Sequence, residues 1–285
     1  MKDDTIAQVL NDTTTKFSDA GIDTARLDAE VLLAHVLNCR RLSLYVNVKN
    51  ELTEEQLKKY NSLVAGRLEN IPVAYLTGYK EFMGLKFAVT PEVLIPRPET
   101  EILAQGVIEH LINFEGEFTL ADLCCGSGAI GISVLKFLEH ITVDAVDISP
   151  DAIAISKFNA KKFNVEDRIN FYKGDLFEPL AGKKYNVIVS NPPYIPTEDL
   201  KNLQAEVKKE PKIALDGGED GLIFYKQIIK DAPNFLADGG FLAMEVGINE
   251  AEPVKKMIEE SGIFGTIQFW QDLASIDRVV ATWKK

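Results

Sequence analysis

The chain has 285 residues, 46% hydrophobic and 26% charged, with 12 Pro and 19 Gly, which suits a globular protein of about two domains and sets aside disordered and low-complexity classes. The formal net charge is −12, and residues 90 to 285 alone carry −11; that part repels polyphosphate at long range, which disfavours nucleic acid as a direct partner. Three cysteines are too few for a disulfide framework, no apolar run could span a bilayer, and Met1-Lys2-Asp3-Asp4-Thr5 lacks the basic-then-apolar layout of a leader, so a reducing, cytoplasmic setting is expected.

From Thr5 to about Asn70 apolar residues recur at helical spacing, as in Ala25, Ala29, Leu32, Leu33, Val36 and Leu37, then Leu57, Tyr60, Leu63, Val64 and Leu68. Thr53 followed by Gln56 suits a capping box, and Asp23 or Thr24 suits the cap of the second helix. Residues 1–78 thus read as a helical bundle without a catalytic constellation, suited to docking a partner or substrate. Between Tyr79 and Pro98 the pattern changes to short alternating runs broken by Thr90-Pro91 and closed by Pro96-Arg97-Pro98, which predicts a β-hairpin linker over 79–98.

Residues 99–285 alternate strands with helices. Strands are predicted at Phe118 to Leu123, Thr142 to Asp147, Ile169 to Tyr172, Tyr185 to Ser190, Gly240 to Val246, Thr266 to Trp270 and Val279 to Trp283. Helices are predicted at Ala129 to Leu138, Pro150 to Phe163, Leu222 to Leu236 and Glu250 to Glu260. The fold class is therefore α/β, with a largely parallel, Rossmann-like sheet of seven strands covered on both faces. Its ligands belong beyond the carboxyl ends of the strands.

Three signals converge on that edge. The first strand runs into Asp122-Leu123-Cys124-Cys125-Gly126-Ser127-Gly128-Ala129-Ile130-Gly131, a glycine loop opening a helix, where backbone must approach a ligand closely. Asp147 ends the second strand at the distance from that loop where a carboxylate accepts ribose hydroxyls; the competing reading makes it a cap for the helix at Pro150. Asp175, in Gly-Asp-Leu-Phe after the third strand, suits an adenine amine, with Leu176 and Phe177 as apolar walls. An adenosine-containing ligand follows.

The fourth strand exits into Asn191-Pro192-Pro193-Tyr194-Ile195-Pro196, where three prolines in six positions hold the exit rigid. The Asn191 amide oxygen and the Pro192 carbonyl are two acceptors that suit the two hydrogens of a substrate NH₂ group. Tyr194 suits stacking on a planar group or lying near a cationic methyl donor. His35, His110 and His140 lack ligand spacing, so no metal is expected.

With these motifs the chain resembles the S-adenosylmethionine-dependent class I methyltransferases that act on planar NH₂ groups. More narrowly, through Ile-Pro-Arg-Pro-Glu-Thr-Glu (95–101), Glu-Pro-Lys-Ile-Ala-Leu-Asp-Gly-Gly (210–218) and the helical N-terminal region, it resembles the release factor glutamine methyltransferase family from end to end. The resemblance implies S-adenosylmethionine as donor, S-adenosylhomocysteine as product, and as substrate the glutamine of a Gly-Gly-Gln motif in peptide chain release factors. It places Asp122, Cys124, Cys125, Gly126, Ser127, Gly128, Asp147, Ile148, Asp175, Leu176 and Asn191 toward the donor. Arg97, Glu99, Asn191, Pro192, Pro193 and Tyr194 fall toward the substrate, with Asn191, Pro192 and Tyr194 catalytic, in a protein expected to be monomeric. One departure is Cys124, where the family often carries Gly. The alternatives are a glutamine methyltransferase of a ribosomal protein and an amine methyltransferase of DNA or RNA.

Overall fold

A computed structural model of the chain describes residues 4–113 and 116–285; Met1, Lys2 and Asp3, read above for a leader, lie outside them. The chain divides into two units, one formed by residues up to Gly78 together with Gln204–Lys209, the other by Tyr79–Leu203 and Glu210–Lys285.

The first unit holds helices α1 (Ile6–Asp19), α2 (Ala25–Val36), α3 (Arg41–Val46), α4 (Glu54–Leu68) and α5 (Val73–Thr77). The capping box forms as the spacing predicts: Gln56 N–H donates to Thr53 Oγ1 at 3.2 Å and Thr53 N–H to Gln56 Oε1 at 2.9 Å. Neither candidate cap of α2 acts as one; Thr24 stands at the cap position without a side-chain hydrogen bond. Phe17, Leu32, Leu33 and Tyr60 are fully buried, and Arg67 buries its charge against Asp28 at 2.7 Å and Glu206 at 3.0 Å, as a desolvated cation requires.

The second unit opens with a hairpin of β1 (Tyr79–Phe82) and β2 (Leu85–Ala88), followed by α6 (Thr100–Leu111), β3 (Phe118–Leu123), α7 (Ala129–Phe137), β4 (Ile141–Asp147), α8 (Pro150–Lys162), β5 (Ile169–Lys173) and β6 (Tyr185–Ser190). It closes with α9 (Ile223–Asp231), β7 (Leu236–Glu245), α10 (Ala251–Ser261), β8 (Phe264–Gln271) and β9 (Asp277–Lys284). The sheet order is β5-β4-β3-β6-β7-β9-β8; β3 to β7 are parallel, and β9 runs antiparallel to both neighbours. The order reverses between β3 and β6, so the switch-point crevice opens where Leu123 and Ser190 end their strands.

Both faces are packed. Leu120, Val143, Val187 and Val189 meet Leu103 and Val107 of α6, Ile132 and Leu135 of α7, and Phe82 and Phe87 of the hairpin. Ala121, Leu123, Ile188, Leu242 and Met244 meet Tyr225 and Ile228 of α9 and Val254 and Ile258 of α10. That is why Val187-Ile188-Val189 is continuously apolar, and each such side chain contributes about 1.5–3 kcal/mol on burial.

Two predicted elements need correction. The helix read as Leu222 to Leu236 stops at Asp231, because Pro233 turns Ala232–Asn234 into a tight 3₁₀ turn. The strand read from Gly240 starts at Leu236, its Asp-Gly-Gly stretch accommodated by an irregular register against β6. Helix α6 was not predicted at all.

Candidate functional site

At the end of β3 the chain turns sharply: Cys124 (φ +58°), Gly126 (φ +54°) and Gly128 (φ +78°) all adopt left-handed backbone. Glycine does this freely, whereas Cys124 bears about 1–2 kcal/mol of strain, the physical reason a glycine suits that position. The turn is held from beneath by Asp147, whose Oδ2 accepts from Gly126 N–H at 2.9 Å and whose Oδ1 accepts from Ser149 N–H at 2.9 Å. The cap of α8 is Ser149, accepting from Ala152 N–H at 3.2 Å, so Asp147 is not the helix cap of the competing reading. Each carboxylate oxygen keeps a second lone pair for a ligand. Burial raises Asp147 above the ordinary carboxylate range, and its backbone donors oppose that rise.

Two residues before Cys124, Asp122 is fully buried and accepts from Gly131 N–H in the first turn of α7 at 3.0 Å. The chain's own carboxylate thus serves one of the helix-terminal donors that a dinucleotide phosphate would use. Its other oxygen has no partner, and burial, with Asp147 adding repulsion, pushes its pKa up to about 7. Asn159 of α8 braces the turn, donating to Ser127 O at 2.9 Å and Ala88 O at 3.0 Å while accepting from Ala88 N–H at 2.8 Å.

These elements enclose a cavity of about 250 Å³. Of the predicted donor residues, Cys124, Gly126, Asp147, Ile148, Asp175, Leu176 and Asn191 line it; Asp122, Cys125, Ser127 and Gly128 do not. Val93, Ile213 and Phe224 also line it; no sequence motif marks them, because they come from a loop, a short turn and a helix far along the chain from the glycine motif. The lining fits an adenosine ligand chemically: two carboxylates at strand ends, apolar walls between them, and a glycine whose missing side chain faces open space.

On the other side of the crevice β6 releases Asn191 to Pro196. Asn191 Nδ2 donates to Thr100 Oγ1 at 3.2 Å. Among the described residues no donor reaches Asn191 Oδ1 or the Pro192 carbonyl. Pro193 lines the cavity, while Pro192 and Tyr194 do not. The half-buried Tyr194 packs onto the second core instead, and burial together with Glu245 drives its hydroxyl far above its ordinary range. The ring expected to face a planar group or methyl donor is thus an anchor of the loop.

The segments around the site are tied to one another. Glu210 accepts from Ile95 N–H at 3.0 Å and pairs with Arg97. Glu101 accepts from Met83 N–H at 2.7 Å. Ile195 N–H donates to Leu215 O at 2.9 Å and Gly217 N–H to Ile195 O at 2.8 Å, an approach so close that a side chain at 217 would come within 2.7 Å of Tyr194 Cα. Arg97 therefore serves as a brace, and Glu99 lies on a separate open groove with Glu101, Glu109 and Trp270.

Residues 8–78 match the PrmC N-terminal domain and residues 100–219 the methyltransferase small domain. A release factor glutamine methyltransferase of Geobacter sulfurreducens is 43% identical over 277 residues, 97% of this chain and 95% of the relative. The chain belongs to the release factor glutamine methyltransferase family. A second member, from Clostridium acetobutylicum, is 44% identical over 89% of each chain. The crystal structure of a methyltransferase from Pyrococcus furiosus superposes with a TM-score of 0.52 at 15% identity, covering 81% of this chain and 99% of that one, which shows the shared fold. Among the described residues of this family member no cluster of His, Cys, Asp and Glu suits a metal ion, and no helix is long and apolar enough to cross a membrane.

Proposed function

We propose that the chain transfers a methyl group from S-adenosylmethionine to the side-chain amide nitrogen of the glutamine in the Gly-Gly-Gln motif of peptide chain release factors, with S-adenosylhomocysteine as product. The observation that carries this reading is the pair of unengaged acceptors at the β6 exit, Asn191 Oδ1 and the Pro192 carbonyl, beside a cavity whose lining fits adenosine. A primary amide has two N–H donors, and two acceptors hold it in one orientation.

S-adenosylmethionine supplies, when bound, an electrophilic methyl group on a sulfonium. Gly126, Asp147, Ile148, Asp175 and Leu176 would hold the donor, Asp147 accepting through its spare lone pairs and Asp175 accepting from an amine of the base. An amide nitrogen is a poor nucleophile because its lone pair is delocalised into its carbonyl. Accepting both hydrogens at Asn191 and Pro192 frees that lone pair to face the cavity and favours the tetrahedral geometry that develops as the nitrogen–carbon bond forms. The displaced proton leaves to water after transfer. The helical unit acts in docking the protein substrate.

The test offers methyl-labelled donor to a purified release factor, a ribosomal protein and nucleic acid in parallel. Label is expected in the release factor, lost when its Gly-Gly-Gln glutamine is replaced. Incorporation into nucleic acid with none into release factor would overturn the reading in favour of base flipping, and incorporation into the ribosomal protein alone would reassign the substrate.

A further inference from the structure

An asparagine side chain presents an oxygen on one edge and an NH₂ group on the other, and a half-turn of its terminal torsion exchanges them. Nothing within Asn-Pro-Pro-Tyr decides which edge faces the crevice. Thr100 and Glu245 do. Thr100, the first residue of α6, is 4% exposed and takes the Asn191 Nδ2 donor on its oxygen. Its hydroxyl also interacts with the Glu245 carboxylate at the end of β7 and favours the ionised form of that group. Glu245 is 3% exposed, and among the described residues its Oε2 has no hydrogen-bond partner.

An ionised Glu245 beside the Thr100 hydroxyl sets the direction of the Asn191 bond. An ionised carboxylate only accepts, so the Thr100 proton points to Glu245; the Thr100 lone pairs then point to Asn191, which must answer with its NH₂ edge. We propose that Thr100, backed by Glu245, is a positioning residue that keeps the Asn191 carbonyl oxygen turned toward the substrate nitrogen, and so selects a substrate NH₂ group over one that presents only acceptors. The inference rests on the reading above, that Asn191 grips the amide nitrogen.

It carries a pH consequence. A protonated Glu245 can donate to Thr100, which is then free to give its own proton to Asn191 Oδ1 and turn the NH₂ edge into the crevice, donor against donor. Burial holds the Glu245 pKa up at about 7. Glu99 pushes the same way and Arg278 and Arg97 oppose it, while the phenols of Tyr194 and Tyr225 also face the carboxylate. Turnover therefore falls as pH drops through this region.

The experiment compares Asn191→Ala, Thr100→Val, Thr100→Ser and Glu245→Gln in the full chain, reading kcat, KM for release factor, donor affinity by calorimetry, and melting temperature. Thr100→Val is expected to lower kcat about ten- to a hundredfold while donor affinity stays within about twofold; Thr100→Ser recovers most of the loss, and Glu245→Gln flattens the fall of kcat below pH 7. Wild-type turnover in Asn191→Ala would sink the underlying reading. An inactive Asn191→Ala beside a fully active Thr100→Val would overturn only the positioning role. So would a Thr100→Ser variant as slow as Thr100→Val with the same drop in melting temperature, since packing would then explain both.

Discussion

The proposed donor wall and amide grip lie on the same sheet edge, yet each rests on a carboxylate held in a different way. Asp147 at the end of β4 is satisfied by two backbone N–H groups from the turns on either side of it. Glu245 at the end of β7 has no such support, leaves one oxygen without a partner, and acts through the Thr100 hydroxyl on a side chain of another strand exit. Local backbone donors hold the Asp147 carboxylate directly and favour its ionised form. A relay of side chains makes the grip directional, and directionality depends on charge.

The largest expected effect breaks the grip alone. Asn191→Ala should reduce turnover by about 100- to 1,000-fold, the loss typical of a removed orienting hydrogen-bond partner, with donor affinity changed far less; full activity in a labelled-methyl assay would end the catalytic assignment. Asp147→Ala breaks the wall instead, weakening donor binding by roughly 1.5–3 kcal/mol through loss of charged hydrogen bonds, and an unchanged dissociation constant in calorimetry would leave Asp147 a purely structural brace.

Asp122 tests what burial of a carboxylate costs. Its folded pKa, about 7, lies above the ordinary 3.8, so its favourable contribution is complete below about pH 4 and is lost as pH rises toward 7. Asp122→Asn removes that loss: its stability relative to wild type should grow by at most roughly 1.4 kcal/mol per pH unit across this window. Equal denaturation midpoint shifts at pH 4 and pH 8 would contradict it. The smallest effect is Cys124→Gly, which relieves a left-handed residue and should stabilise the fold by about 0.5–1 kcal/mol in thermal melts; destabilisation would show that thiol packing outweighs backbone strain.

The same contrast explains what the sequence disclosed. Phe118–Leu123 and Tyr185–Ser190 were bounded correctly because short apolar runs end in motifs with their own turn chemistry. Asp147, Gly126, Asp175 and Leu176 could be read as a group because each sits at a strand end, which the alternation locates, and all four line one cavity. Helix α6 was passed over although Leu103, Val107 and Leu111 repeat at helical spacing, because the prolines at 96 and 98 dominate the preceding stretch. Thr100 and Glu245 were illegible for a stronger reason. Thr100 meets Asn191 across 91 positions, and no local pattern marks a hydroxyl or a glutamate whose partners arrive only when α6 and β7 pack against β6. Tyr194 was misread because a motif gives a side chain's neighbours in sequence and not the direction it faces.

The adjacent thiols in the glycine turn have a practical consequence for chemical labelling. Burial, together with the negative charge of Asp147 and Asp122, pushes both Cys124 and Cys125 well above the ordinary thiol range. Alkylation and disulfide exchange proceed through the thiolate, so at neutral pH both thiols react slowly, Cys125 the more so because it is buried while Cys124 lines the cavity. Cys39, partly exposed in the helical unit, offers a further site for attaching a fluorophore or spin label.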